Sequence, residues 1–452
     1  MGVKSGLATA LNVLRQDASS KFQEVVPIVD ENTSIEAYSA PLLNTPKFMN
    51  EFCDVLVQRI VYTQLVDNKI FNNPLKVLEG EAIPLGYLGQ EIFINPAQGR
   101  DYDVNDFAGA LKKYESDIKV QYTYINFDKQ YPVTIIRQEL KQAFVSWEAL
   151  DTYISGITNS LYNGYYIDEY KNTKAIVTNA YRSNAVQIET VNAISDSDKA
   201  KAFVKKARTL FLNFQTPSSE YNAWAKIGGY GREIVTFTEP ENIVMLIRND
   251  IRANLDVDVL ANAFNMDKTT LLGNILPVDN FDILDKNGTK IYDGSKILGI
   301  IADKSWFRIK PQDMFMDDFR NANNRSINYY LNVIKMFNYS LFANAVVFAT
   351  EEPQVAITEM EAQEDEVTIE ALEKKKVKII TTPYNANYPT LSVASSDSDV
   401  ATATVTGKEV EITAVASETE ADGEATITVT AGNVTTTIDV TVPYHAEQSE
   451  NL

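Results

Sequence analysis

The sequence predicts an α+β body over residues 1–352, followed by a small all-β sandwich at 355–443. Three observations carry this. Helical and alternating apolar patterns are mixed in the body without regular βαβ order, which argues against a doubly wound sheet. A composition break falls at EEPQVAITEMEAQEDE (351–366). Beyond it Phe and Trp vanish, Val, Thr, Ile and Ala dominate, and the apolar residues alternate with period two.

The body opens with a short amphipathic helix over 4–17. A second helix starts at Thr45-Pro46, a capping residue followed by proline at the first helical position, and runs through FMNEFCDVLVQRIVYTQLV. The texture then changes. Pro74, Gly80, Pro84, Gly86, Gly89, Pro96, Gly99 and Gly109 leave no room for a helix of ordinary length. IKVQYTYINFDKQYPVTII (118–136) alternates like one half-buried strand. Fixing the 38 residues from 72 to 109 costs about 1–2 kcal/mol each in backbone entropy, or about 40–80 kcal/mol. An isolated two-stranded excursion buries too little to offset that. It must lie on its own body, lie on a neighbouring molecule, or stay mobile.

From 137 to 181, Leu140, Phe144, Trp147, Ile154, Ile157 and Leu161 keep helical spacing, and Gly156 and Gly164 permit a bend or break. Another helix is predicted at 197–214, with Ser197 as cap. FDILDKNGTKIYD (281–293) reads as a hairpin around Asn287-Gly288. KILGIIADKSWFRI and NRSINYYLNVIKMFNYSLFANAVVFAT close the body as apolar strands. In the sandwich, Val410, Ile412, Ala414 and Ala416 share one face. Ala425, Ile427, Val429 and Ala431 share another, and Ile438, Val440 and Val442 a third.

Composition excludes much chemistry. With one Cys (Cys53) and one His (His445), a Cys/His zinc site cannot be built within one chain, and because His445 lies in a polar C-terminal tail, Ser-His-Asp and Cys-His catalysis are not expected. No apolar run is long enough to span a bilayer. The N-terminus interrupts its apolar residues too often for a secretory signal. The chain is therefore expected to fold in a cytoplasm. The net charge is −20, and residues 353–452 hold 18 acids and 5 bases. Tight sequence-independent nucleic-acid binding needs clustered Lys and Arg, which neither part shows.

The remaining motifs favour packing. GGYG (228–231) lacks the spacing of a dinucleotide loop and the lysine of a phosphate loop. DKNG (285–288) resembles the start of a calcium loop, but Ile283 and Gly294 stand where ligands should be. Asp256 and Asp258, two apart in LDVDVLANAFNMDKTTLLGN (255–274), point in different directions on a helix, while Leu255, Val259, Leu260 and Phe264 make an apolar face. No catalytic, cofactor or metal residue is assigned.

The motifs NNPLK (72–76), IPLG (83–86), AFVSWE (143–148), LDVDVLANAFNMDKTTLLGN and FANAVVF (342–348), in that order, resemble the major capsid proteins of phi-29-type short-tailed phages. The resemblance threads most of 70–350. It implies a Hong Kong 97-type fold: an N-terminal arm (1–70), an extended loop (71–136), a peripheral domain with a spine helix (137–199 and 326–352) and an axial domain (200–325). A linker (353–366) leads to the region 355–443, which is similar to a bacterial immunoglobulin-like group 2 domain, and to a tail (444–452). Val393 stands where such repeats often have tryptophan.

The implied function is self-assembly into a phage head, an icosahedral or elongated shell built of hexamers and pentamers around double-stranded DNA. The implied partners are other copies of the chain, a scaffolding protein and a portal. The protein would be placed in the virion, without enzymatic activity, cofactor or membrane. Leu78, Ile83, Leu85 and Tyr87 are the expected inter-subunit contacts on the extended loop. Two readings from other classes compete: a bacterial surface adhesin with an immunoglobulin-like tip, and a hydrolase using carboxylates and a hard cation. A missing secretion signal weakens the first, and carboxylate spacing weakens the second.

Overall fold

The computed structural model describes residues 5–62, 71–86, 88–102, 109, 112–194, 197–227, 233–253, 255, 274–285, 287–321, 323, 325–415 and 421–443. In chain order the helices are α1 (Ser5–Asp17), α2 (Ser20–Val25), α3 (Ile35–Asn44), α4 (Pro46–Tyr62), α5 (Arg137–Ala143), α6 (Trp147–Arg182), α7 (Ser197–Asn213), α8 (Trp224–Ile227) and α9 (Asn249–Ala253). The body strands are β1 (Gly89–Ile94), β2 (Ile118–Thr123), β3 (Phe127–Ile136), β4 (Gln187–Thr190), β5 (Ile243–Arg248), β6 (Ile275–Val278), β7 (Ile283–Leu284), β8 (Lys290–Tyr292), β9 (Ile297–Asp303), β10 (Phe307–Asn321), β11 (Ser326–Tyr339) and β12 (Ala345–Ala349). The later strands are β13 (Glu359–Ala362), β14 (Glu366–Thr368), β15 (Lys374–Thr382), β16 (Ser392–Ser395), β17 (Ala401–Thr406), β18 (Glu409–Ala414), β19 (Gly423–Ala431) and β20 (Val434–Val442). The chain divides into two units, Met1–Glu91 with Val120–Ile176 and Phe307–Tyr339, and Ile92–Lys119 with Val177–Trp306 and Ser340–Leu452.

In the first unit, α1 buries Leu7, Leu11 and Leu14, and α4 buries Met49, Phe52, Cys53 and Leu56, each set along one helical face. Helices α2 and α3, absent from the sequence expectation, are short and capped by serine. Ser19 Oγ accepts from Phe22 N and Ser34 Oγ from Ala37 N. Strands β10, β11 and β3 form an antiparallel sheet, with a register shift between Pro311 and Asp313.

The 118–136 segment is two strands. β2 pairs with β1, whereas β3 joins β11. The helical stretch also divides, but at Phe144–Ser146 and not at Gly156 or Gly164. Ser146 supplies the reason: its Oγ accepts from Ala149 N at 3.1 Å and caps the new helix. The two glycines stay inside α6, whose 36 residues extend about 54 Å at 1.5 Å per residue. A Cβ on Gly164 would stand 3.2 Å from Tyr131 of β3, so this glycine gives the ring its space.

In the second unit a mixed five-stranded sheet has the order β4-β12-β9-β5-β6, parallel at both edges and antiparallel inside. Phe203, Ala207, Phe211 and Phe214 of α7 and its following turn share a core with Met245, Ile247, Ile301 and Phe348. The hydrogen bonding regroups strands relative to the expected boundaries. β4 and β12, expected in the peripheral region, lie in one sheet with β5, β6 and β9 of the expected axial region. β10 leaves the axial segment for β11 and β3.

After Pro353, two four-stranded sheets, β13-β15-β18-β17 and β14-β20-β19-β16, enclose one core. Val410, Ile412, Ala414, Ala425, Ile427, Val429, Ile438, Val440 and Val442 are buried in it, as their alternation predicts; Ala416 lies outside the described residues. Reciprocal hydrogen bonds, Asn184 Nδ2 to Asn385 O at 2.9 Å and Asn385 Nδ2 to Ser183 O, tie this sandwich to the end of α6.

Candidate functional site

The extended loop begins at a buried ionic cluster in the first unit. Lys335 of β11 has a completely buried side chain and donates to Glu169 of α6, to Glu79 at 2.6 Å and to Tyr165 Oη at 3.2 Å. Asn73 Nδ2 donates to the other Glu169 oxygen at 3.0 Å, and Lys76 reaches Glu169 at 3.3 Å. Burial raises the Glu169 carboxyl, but Lys335, Asn73 and Lys76 outweigh it and pull it down to about 2. Two lysines and two glutamates thereby balance in a space that would penalise either sign alone.

The next residues are also held by their own chain. Leu75 and Leu78 are buried, and Gly80 N and Ile83 N donate to Ile309 O and Pro311 O of β10. This covers part of a sheet edge that would otherwise invite pairing. Leu78, 1% exposed, is thus not available to a neighbour, a correction to the expectation, because its burial is completed at home. Ile83 is half-buried, Leu85 is exposed, and Tyr87 lies outside the described residues.

Beyond this root, β1 and β2 pair as a two-stranded sheet with two unlike faces. Gly89 and Thr123 share one face: Thr123 Oγ1 donates to Gly89 O, and a Cβ on Gly89 would fall 2.2 Å from that hydroxyl oxygen. Alternation places Glu91, Phe93, Lys119 and Gln121 on this side. Glu91 is paired with Arg308, Gln121 Nε2 donates to Tyr339 O at 2.9 Å, and Phe93 packs on Phe342. The opposite side carries Ile92, Ile94, Ile118, Val120 and Tyr122, all exposed, the isoleucines at 52–59%. Leu88 and Leu85, each 64% exposed, precede it.

The sequence reading names Leu78, Ile83, Leu85 and Tyr87 and does not single out this face. The signal was present in the alternation of QEIFI and IKVQYT, which was read only as half-burial.

Each such side chain contributes about 1.5–3 kcal/mol when fully buried, so five supply about 8–15 kcal/mol. Association costs roughly 4–15 kcal/mol. One such face alone therefore barely offsets the cost of joining two molecules.

Other candidates are packing. Asp285 Oδ1 accepts from Asn287 N and Thr289 N, and Gly288 has φ +81°, which makes DKNG a turn. Leu255 is buried in the α7 core, while 256–273, with Asp256 and Asp258, and the GGYG stretch lie outside the described residues. Burial pushes the Cys53 thiol up to about 12, far from a thiolate. Among the described residues no helix is long and apolar enough to cross a membrane, and no group of three His, Cys, Asp or Glu side chains is arranged to hold a metal.

Comparison with known proteins adds four findings. The family model for the Phi29-like phage major capsid protein matches residues 11–349. The chain is 32% identical over 354 residues to the major capsid protein of Bacillus phage B103, covering 77% of this chain and 74% of that one. It is 28% identical to the major capsid protein of Streptococcus phage Cp-1, covering 76% and 94%. In fold it is similar to a chain of the Staphylococcus phage Andhra capsid structure, with a TM-score of 0.52 at 14% identity over 64% of this chain and 87% of that one.

Proposed function

The chain belongs to the Phi29-like phage major capsid protein family, and from that premise we propose that the outer face of β1 and β2 is where one copy grips the next as the head shell forms. The protein is a head-shell protein of the virion capsid with a Hong Kong 97-type α+β fold, and it self-assembles. The observation that carries the proposal is the apolar row Ile92, Ile94, Ile118, Val120 and Tyr122, exposed on strands whose other face is seated. A row of this kind is unstable in water and directional, which suits a repeated contact.

Function is then spread over interfaces and needs no catalytic centre. Hexamers and pentamers, a scaffolding protein, a portal and enclosed double-stranded DNA complete the reading. The net charge of −20 supports it, since mild repulsion keeps packaged nucleic acid from adhering to the wall. The region after Pro353 is read as an immunoglobulin-like domain appended to the shell, supported by its two sheets and the core they share.

The test is the double variant Ile92→Asp/Ile118→Asp, compared with Thr402→Asp on the sandwich. Electron microscopy and sedimentation should show shells for the wild type and Thr402→Asp, and soluble folded protein without shells for the double variant. Normal shells from the double variant would overturn the assignment of this face.

A further inference from the structure

Strand β15 carries the sequence KKKVK, and three of its four lysines have a carboxylate. Lys374 pairs with Glu411 at 2.7 Å, Lys375 with Glu364 at 2.7 Å and Lys376 with Glu409 at 2.6 Å. The register places Glu409 directly opposite Lys378, yet Glu409 reaches diagonally to Lys376. The ladder is therefore shifted by one step, and Lys378 has no carboxylate within ion-pair distance among the described residues.

A second lysine without a carboxylate stands nearby. Lys408 Nζ donates to Thr381 Oγ1 at 2.6 Å and to the Tyr384 carbonyl. These bonds fix a half-buried ammonium in one position. Both Lys378 and Lys408 lie 5.4 Å from the centroid of the Tyr384 ring, so their ammonium groups are no more than twice that distance apart. Burial, and after it the charge of Lys378, push Lys408 down to about 8. Among the described residues no carboxylate within ion-pair distance offsets the repulsion between the two cations.

The platform is rigid. Thr381 is buried and its hydroxyl donates to Pro383 O at 3.0 Å. The neighbouring Asn385 is anchored to Ser183 and Asn184. Little ordering is needed before an anion could use the site. The segment 353–452 has 18 acids and 5 bases, so two lysines around one aromatic ring with no carboxylate at ion-pair distance among the described residues are not explained by a general excess of positive charge.

We propose that Lys378 and Lys408, both held against the Tyr384 ring, form a phosphate-binding site on the β-sandwich, which takes a phosphate group either free or carried as a diester along a polymer. Two ammonium groups call for about two negative charges. A phosphate monoester brings about −1.5 to −2 at neutral pH, and successive diesters bring one each. A lone carboxylate brings only one. Lysine binds phosphate as a point charge and needs no fork geometry.

The experiment titrates the full chain with inorganic phosphate, sn-glycerol 3-phosphate, a poly(glycerol phosphate) chain and acetate, read by calorimetry and by the lysine side-chain NMR signals. Saturable binding of the phosphates is expected, with acetate at least tenfold weaker and a rise of the Lys408 pKa on binding. Lys378→Glu should weaken phosphate binding at least tenfold, and Lys408→Gln should do the same, while Lys374→Glu leaves it unchanged. Tighter binding of the polymer than of inorganic phosphate identifies a polymer-borne ligand, and equal binding identifies the free ion. No saturable binding, equal affinity for acetate, or no loss in Lys378→Glu would each overturn the site.

Discussion

The Lys335 ammonium and the Glu169 carboxylate meet inside the first unit with side chains 0% and 2% exposed, joining β11 to α6 beneath the root of the extended loop. Glu79 and Lys76 complete the charge balance from the loop itself. The loop is therefore not a free excursion at its base. It becomes an unsatisfied surface only beyond Ile83.

Removing one side of this pair should be costly. Lys335→Met leaves Glu169 with only Lys76 in a buried site, and the expected loss is about 3–5 kcal/mol. Chemical denaturation measures it. The double variant Lys335→Met/Glu169→Gln should lose clearly less, because no uncompensated charge remains.

The same pair sets an acid limit. The Glu169 carboxyl is pulled down to about 2, below the unfolded glutamate value of about 4.3. A depressed carboxyl contributes stability that is fully present above the unfolded value and is lost as pH falls through the folded one. Denaturant midpoints should therefore fall between about pH 4.3 and pH 2 more steeply in the wild type than in Glu169→Gln. Parallel profiles would remove Glu169 from the explanation.

Gly89→Ala should destabilise the β1–β2 sheet. The new methyl would lie 2.2 Å from Thr123 Oγ1 and 2.8 Å from Met336 Cε. Overpacking of this kind costs about 1–3 kcal/mol. Thermal melting should register the loss, and adding Thr123→Ala should recover part of it.

The two glycines of α6 should behave differently. Gly156 has open space where a Cβ would go, so Gly156→Ala should gain about 0.5–1 kcal/mol from helix propensity. Gly164→Ala meets Tyr131 at 3.2 Å, and its gain should be smaller or reversed. Melting of both variants against the wild type decides the matter.

What could be read before the structure was local in origin. The sandwich strands follow from strict alternation, because one side of each sheet faces a common core. The start of α4 follows from Thr45-Pro46, and the turn at Asn287-Gly288 from backbone freedom at Gly288, with φ +81°. The break before Trp147 is set by the Ser146 cap and not by the helix-weakening glycines, whose composition signal is the stronger of the two. Leu78 was misplaced because an apolar residue in a loop has the same letters whether its own body or a neighbour covers it.

By itself the sequence determined the sandwich strands, the start of α4, the turn at Asn287-Gly288, the change from α+β body to β-sandwich and the Cys/His zinc chemistry that a chain with one Cys and one His cannot support. Those depend on period, composition and residue type, which are properties of neighbours along the chain. The tertiary structure decided that Lys335, Glu169, Glu79 and Asn73 meet, that β4 and β12 join one sheet, and which side of β1 and β2 is left bare. Each of these depends on contacts between residues distant in sequence, and burial and pairing energies exist only once those residues are brought together.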